Sequence, residues 1–144
     1  MSDITDTPHQ VLGDNIKYAS FAKRLVAYLI DVLIIGIVST VAGFAWKIIG
    51  LESLASVLGI VIGIGYSGYF WTTTGATPGK ALMKLKVVDV NGHLLSWGGA
   101  ILRYICYIVS GIALGLGFIW VLIDKNNQGW HDKIAGTFVI DEGE

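Results

Sequence analysis

Hydrophobic residues are concentrated in three long runs along the chain, and polar segments separate the runs. The first run, residues 25–46, has about 22 residues and a single charge, Asp31, and the second run, residues 53–71, has no charge. A helix of about 20 residues crosses the ~30 Å hydrocarbon core of a bilayer. Since only a short connection joins these two runs, they predict an antiparallel transmembrane helical hairpin in an α-helical membrane protein.

The third run, residues 101–123, is interrupted by glycines near its centre, at Gly111, Gly115 and Gly117. It can span the membrane once, or it can break at the glycines and return to the side from which it came. If the N-terminus is cytoplasmic, the re-entrant path leaves Lys47 as the only lysine or arginine outside, in agreement with the positive-inside rule. A broken helix at membrane depth needs protein or water around it, so both paths stay open.

The polar segment between the second and third runs predicts a short amphipathic helix at the membrane interface. Thr77 suits the N-cap of this helix and Pro78 its first residue. Lys80 and Lys84 would then lie one turn apart on the same face. With Lys86, they are predicted to contact lipid headgroups, because lysines near an anionic membrane surface are favourable.

Two segments predict a small interfacial β element. Residues 86–95 contain β-branched residues followed by Asn91-Gly92, which is typical of a β-hairpin. Residues 137–140 are also strand-like, and the re-entrant path would let them pair with residues 86–90.

Composition and charge narrow the class of protein. Of the 144 residues, 53% are hydrophobic and 15% are charged, against about 45–50% and about 25% in ordinary soluble domains. The net charge of −1 gives no reason to expect a nucleic-acid partner. The length fits one membrane domain, residues 18–140, between a mobile polar N-terminal tail (1–17) and an acidic C-terminal tail (141–144).

Charged residues at the start of the first run are the strongest candidates for function. Arg24 and Asp31 are seven residues apart, which on a helix is two turns, or about 10 Å, on one face. Inserting a carboxylate at membrane depth costs about 3 kcal/mol of free energy on insertion scales. Asp31 is therefore predicted to have an interaction partner or a functional role. Small residues also recur four apart, which favours close helix packing within the chain or between copies; these pairs are Gly36 with Thr40, Ser39 with Gly43, and Gly59 with Gly63.

Several motifs occur in the order typical of one family of membrane proteins. They are Lys23-Arg24-Leu25 with Tyr28 and Asp31, Thr77-Pro78-Gly79-Lys80, Leu85-Lys86-Val87-Val88-Asp89, Leu102-Arg103, and His131-Asp132 before Ala135-Gly136-Thr137. Over residues 18–140 the chain resembles the RDD family of prokaryotic membrane proteins, which is named for one arginine and two aspartates. The resemblance implies that Arg24 is the arginine and Asp31 the first aspartate, with Asp132, or else Asp89, as the second.

The resemblance implies a multi-pass protein of the prokaryotic plasma (inner) membrane, and the family has been linked to transport, including sodium and proton exchange. One hypothesis is therefore cation or small-solute transport, with Asp31 exchanging Na⁺ for H⁺. A chain this small without an internal repeat would then need to form a homo-oligomer.

The other hypothesis is a structural or accessory module, in which a charge network of Arg24, Asp31 and Asp132 fixes helix packing or contacts a lipid or a partner. Enzymatic activity, catalytic residues, a metal site and a cofactor are not expected, because the histidines are scattered and no nucleophile lies in a recognisable motif. Secondary candidates for the charge network are Asp89, Arg103, Asp124 and His131.

Overall fold

The computed structural model describes residue 12 and residues 16–143, and most of these residues are helical. The helices and strands, in chain order, are α1 Phe21–Ile48, α2 Ala55–Thr73, α3 Pro78–Leu82, β1 Leu85–Asp89, α4 Trp97–Ile112, α5 Leu116–Ile119, α6 Trp130–Ala135 and β2 Thr137–Asp141. Short 3₁₀ helices, Glu52–Leu54 and Trp120–Leu122, precede α2 and follow α5. The predicted tail, residues 1–17, lies largely outside the described residues.

The first two hydrophobic runs form α1 and α2. Ser20 caps α1 by accepting a hydrogen bond from the Lys23 N–H at 3.4 Å. Both helices are long and apolar enough to cross a membrane, α1 with 28 residues and α2 with 22 when its leading 3₁₀ turn is included. Many of their apolar side chains are exposed, as Leu33 and Phe44 are, which is the arrangement a helix in contact with lipid requires.

The third run bends sharply at its glycine-rich centre, where the sequence allowed a break. The segment from α4 to α5 and its 3₁₀ turn changes direction by 108°. Leu114 and Gly115 both have positive φ, at 58° and 77°, and two successive residues in this region end an α-helix. The bend is compatible with a broken span or with a re-entrant loop.

The two strands form an antiparallel sheet in which Leu85 is opposite Asp141 and Asp89 is opposite Thr137. This confirms the predicted pairing of residues 137–140 with residues 86–90. The predicted hairpin over residues 86–95 is wrong, because no second strand follows the turn within this described segment. Instead, the Asp89 side chain accepts hydrogen bonds from the backbone N–H groups of Asn91 and His93, and the chain then leads directly into α4.

The sheet gathers distant parts of the chain at one end of the molecule. Its buried side chains pack in a cluster that includes Ala19, Trp71, Leu85 and Val139. Tyr18, just before α1, forms a β-bridge with Ile140. The start of α1, the end of α2 and both strands therefore meet. β2 also extends to Asp141, one residue into the predicted C-terminal tail.

Small residues contribute less to internal packing than their spacing suggests. A Cβ atom at Gly36, Gly43 or Gly59 would meet nothing within 4 Å, whereas one at Gly63 would lie 1.9 Å from the Tyr104 hydroxyl. Within the chain, only the last of these four glycines is needed for close contact.

A close approach of two helix backbones lies elsewhere, between α1 and α3. A Cβ atom at Gly79 would lie 2.1 Å from the carbonyl oxygen of Ala27 and 2.9 Å from the carboxyl carbon of Asp31. No side chain fits here, because a backbone carbonyl cannot move aside as a flexible side chain can. Glycine at this position lets the start of α3 reach the carboxylate on α1.

Candidate functional site

Asp31 lies on α1 and is 6% exposed. Its carboxylate accepts hydrogen bonds from the Thr77 hydroxyl at 2.5 Å, the Gly79 N–H at 2.9 Å and the Tyr66 hydroxyl at 3.0 Å. The first two donors belong to the start of α3 and the third to α2. Hydrogen bonds to an ionised group are stronger than neutral ones, so this carboxylate holds α1, α2 and α3 together.

Asp132 is a second buried carboxylate, on α6, and is fully inaccessible. One oxygen accepts from the Arg24 guanidinium at 2.5 Å and from the Gly129 N–H at 2.9 Å. The other accepts from the Arg103 guanidinium. Burial alone would raise the pKa of this carboxyl, but Arg103 and Arg24 hold it well below its usual value.

Arg103, on α4, is also completely buried. Besides Asp132, it donates to the hydroxyl of Thr137, the first residue of β2. Its guanidinium carbon lies 5.1 Å from the ring centre of Trp71 and 5.5 Å from that of Tyr107, distances at which an aromatic face stabilises a cation. The network around Asp132 thus joins α1, α4, α6 and β2.

His131 lies beside this network but adds no charge to it. Its Nε2 is 3.5 Å from the nearer oxygen of Asp132. Burial lowers the pKa of His131 to about 3, although Asp132 alone would raise it. The imidazole is therefore neutral near pH 7, and it packs edge-on against Tyr107 with ring centres 4.4 Å apart.

Lys80 is buried and not exposed on the surface of an interfacial helix. It is only 5% exposed, and its ammonium lies 5.9 Å from the ring centre of Trp71. Lys80 and Lys84 do not share a helical face, because α3 ends at Leu82 and Lys84 has a φ of 57°. Lys84 itself is exposed, and Lys86, 4.0 Å from Glu142, is partly so.

Two cavities meet the buried charges. The larger, about 440 Å³, is lined by Asp31, Lys80 and Ser67 together with mostly apolar side chains of α1 and α4. The smaller, about 240 Å³, is lined by Arg24, Lys80, Arg103 and His131. Within residues 16–143, no group of three or more His, Cys, Asp or Glu side chains is arranged to hold a metal ion.

The other two acidic candidates, Asp124 and Asp89, lie outside the buried network. Asp124 accepts a hydrogen bond from Lys133 at 2.5 Å. Asp141, which the sequence analysis did not single out, accepts one from Lys23 at 2.5 Å. Burial raises the pKa of Asp124, but Lys133 and two backbone N–H groups outweigh it and lower the pKa overall. Asp89 binds only the backbone of its own turn among the described residues.

Arg24 and Asp31 both lie on α1, but they form hydrogen bonds with different partners. Arg24 pairs with Asp132, 108 residues away, while Asp31 bonds to the start of α3. The sequence analysis did not identify Thr77 and Gly79 as hydrogen-bond donors to Asp31. The Thr77-Pro78-Gly79 motif is the sequence feature that could have indicated them. Nothing in the sequence distinguished Tyr66 from the other aromatic residues near the end of α2.

Comparison with known proteins identifies the family to which the chain belongs. Residues 18–136 match the model of the RDD family, and the chain belongs to that family. Among curated relatives, it is 33% identical to the uncharacterised protein YxaI of Bacillus subtilis, over 86% of this chain and 97% of that protein. No solved structure matches the chain.

Two other relatives match over smaller shares of their length. A proline-rich antigen homolog of Mycobacterium tuberculosis (strain H37Rv) is 31% identical over 62% of this chain and 38% of that protein. The uncharacterised protein RP437 of Rickettsia prowazekii is 33% identical over 56% of this chain and 45% of that protein. Family membership and the apolar helices together indicate a membrane protein.

The substitution Asp132→Asn should destabilise the protein by about 3–5 kcal/mol, because it leaves two buried guanidinium groups without their counter-charge. The matched control, Asp124→Asn, removes a pair whose lysine is 45% exposed and should cost about 1 kcal/mol or less. Chemical unfolding in detergent measures both. Equal losses in the two variants would contradict the assigned importance of Asp132.

Stability should also fall as the pH is lowered from about 6.5 toward 3. The folded state keeps His131 neutral down to a pKa of about 3, whereas the unfolded chain protonates this residue near its ordinary pKa of about 6.5. Between these values the unfolded state binds more protons, so each pH unit costs up to about 1.4 kcal/mol. Melting temperatures of the wild type and of His131→Gln at pH 7 and pH 5 measure the effect; an identical pH slope in both would contradict it.

Proposed function

We propose that the chain is a multi-pass protein of the prokaryotic plasma membrane, with a cytoplasmic N-terminus and a re-entrant third segment. The meeting of Tyr18, Leu85 and residues 137–141 at one end of the molecule supports this topology. α1 and α2 would form a hairpin that returns to this end, and the segment from α4 to the 3₁₀ turn would leave it and come back. Lys47 lies at the other end of α1, in agreement with the positive-inside rule.

We propose further that the protein is a non-catalytic accessory module whose buried charges hold its helices in a fixed arrangement at the cytoplasmic interface. The observation that carries this proposal is that each of the two carboxylates accepts three or more hydrogen bonds from the protein itself. Asp31 accepts three hydrogen bonds, and Asp132 is held between Arg24 and Arg103. A rigid end with exposed basic residues such as Lys84 is suited to contact anionic lipid or a partner protein.

Cation or small-solute transport is a second candidate, and one observation favours it. Asp31 and Lys80 both line the 440 Å³ cavity beside α1, so a solute at this depth would meet a carboxylate and an ammonium. Transport by so small a chain would need a homo-oligomer. A Cβ atom at Gly36 or Gly43 would meet nothing within 4 Å, so this face of α1 has room for close approach by a second copy.

The topology predicts which sites are accessible from each side of the membrane. In a background with Cys106→Ala, single substitutions Asn91→Cys and Lys125→Cys should react with a membrane-impermeant maleimide from the cytoplasmic side. Ser53→Cys should react only from the opposite side. All three positions lie in loops or turns at helix ends. Labelling of Lys125→Cys together with Ser53→Cys would show that the third segment spans the membrane.

Two substitutions of Asp31 distinguish the accessory module from the transporter. Asp31→Leu should lower the stability by at least about 2 kcal/mol, because the Gly79 N–H and two hydroxyls lose their acceptor. Asp31→Asn should cost less, since its amide oxygen can still accept from Gly79 and Tyr66.

Flux measurements then decide between the two candidates. Wild-type protein in vesicles containing a pH-sensitive dye should show no proton flux when Na⁺, K⁺ or Li⁺ is added outside. A cation-dependent flux that disappears in folded Asp31→Asn would overturn the accessory module and establish transport.

A further inference from the structure

The 240 Å³ cavity has an unusual lining, because three cationic side chains reach it from three different helices. They are Arg24 of α1, Lys80 of α3 and Arg103 of α4. Among the described residues, no aspartate or glutamate side chain lines this cavity. Its other walls are apolar or aromatic, apart from the neutral imidazole of His131.

Several N–H groups at this cavity have no acceptor within residues 16–143. The Nε and Nη2 of Arg24 and the Nε of Arg103 are buried and have no hydrogen-bond partner among the described residues. The Lys80 ammonium lies 5.9 Å from the ring centre of Trp71, and within the described part of the chain its side chain is in no hydrogen bond or ion pair. Buried donors of this kind are rarely left unsatisfied in native proteins, so the lining is prepared for an acceptor that the described residues do not supply.

The charge balance gives the sign of the missing group. The three cations have two buried carboxylates near them: Asp31, which lines the larger cavity, and Asp132, which lines neither cavity but pairs with Arg24 and Arg103. One positive charge is therefore left over. Asp31 is already occupied by three neutral donors, and Asp132 is shared between two guanidiniums. A buried charge without a counter-charge is unfavourable, and one bound monoanion would balance it.

The rim of the cavity indicates where that anion comes from. Leu25 and Ile119 line the cavity and are 43% and 47% exposed. Both belong to the apolar segments that would face lipid. They lie near the N-terminal end of α1, where lipid headgroups would lie. A polar interior beside a lipid-facing rim suits an amphipathic ligand with an anionic head and an apolar tail.

We propose that this cavity binds a phosphate-bearing anion, and that its source is the headgroup of an anionic phospholipid. Guanidinium groups match the oxygens of a phosphate in geometry and charge. A phosphodiester with an uncharged headgroup carries one negative charge, which equals the excess in the site. This inference does not rest on the accessory function, since a transporter could hold the same lipid.

The test is thermal unfolding of lipid-free protein in a neutral detergent, titrated with three probes. Short-chain phosphatidylglycerol should raise the melting temperature in a saturable way, and phosphatidylcholine of the same chain length should not. Inorganic phosphate forms the third arm. A shift with phosphatidylglycerol but not with phosphate supports a lipid site, and a shift with both supports a phosphate site that is open to soluble anions. Equal shifts with the two lipids would overturn the proposal.

Matched variants locate the binding. Lys80→Met keeps the side-chain length over Trp71 but removes the charge, and it should weaken phosphatidylglycerol binding about tenfold or more, as expected for one charge-assisted hydrogen bond. The exposed control Lys84→Met should bind as the wild type does.

A second pair of variants tests the same cavity in case Lys80→Met does not fold. Leu25→Trp narrows the mouth of the cavity and should reduce binding, whereas Leu29→Trp, one turn further along α1 and outside the lining, should not. Wild-type affinity in both Lys80→Met and Leu25→Trp would overturn the assignment of this cavity.

Discussion

The arrangement of this end of the molecule depends on one buried carboxylate held between two guanidinium groups. Asp132, Arg24 and Arg103 are all protected from solvent, with Asp132 and Arg103 fully so. In an apolar setting none of these groups can be left without its partners, since an unpaired buried charge costs several kcal/mol. The positions of α1, α4 and α6 are therefore fixed relative to one another, and β2 is fixed with them through Thr137.

The second carboxylate, Asp31, works by a different means. It has no cationic partner within 4 Å among the described residues, and neutral donors on α2 and α3 surround it. Gly79 makes this possible, because any larger residue would collide with the backbone of α1. α1 thus carries one member of each cluster, Arg24 and Asp31, and these two residues join the helix to nearly every other element at this end.

The sequence was sufficient to predict the long apolar helices and the strand-like segments, but it could not predict the partners of the charges. The apolar runs, the glycine break and the strand-like residues 137–140 are local signals, and the structure agrees with them. The partner of Arg24 lies 108 residues away, and no local pattern encodes that contact. The burial of Lys80 has the same cause: residue spacing gives only a helical face, whereas contact with α1 and Trp71 decides which side chains are buried.

A double-mutant cycle between Arg24 and Asp132 tests the central claim most directly. The free energy of unfolding in detergent would be measured for the wild type, Arg24→Met, Asp132→Asn and the double variant. If the buried network fixes the helices, the double variant should be less destabilised than the sum of the single ones, by at least about 1 kcal/mol. Additive effects, within about 0.5 kcal/mol, would contradict the claim that this pair is the basis of the fold.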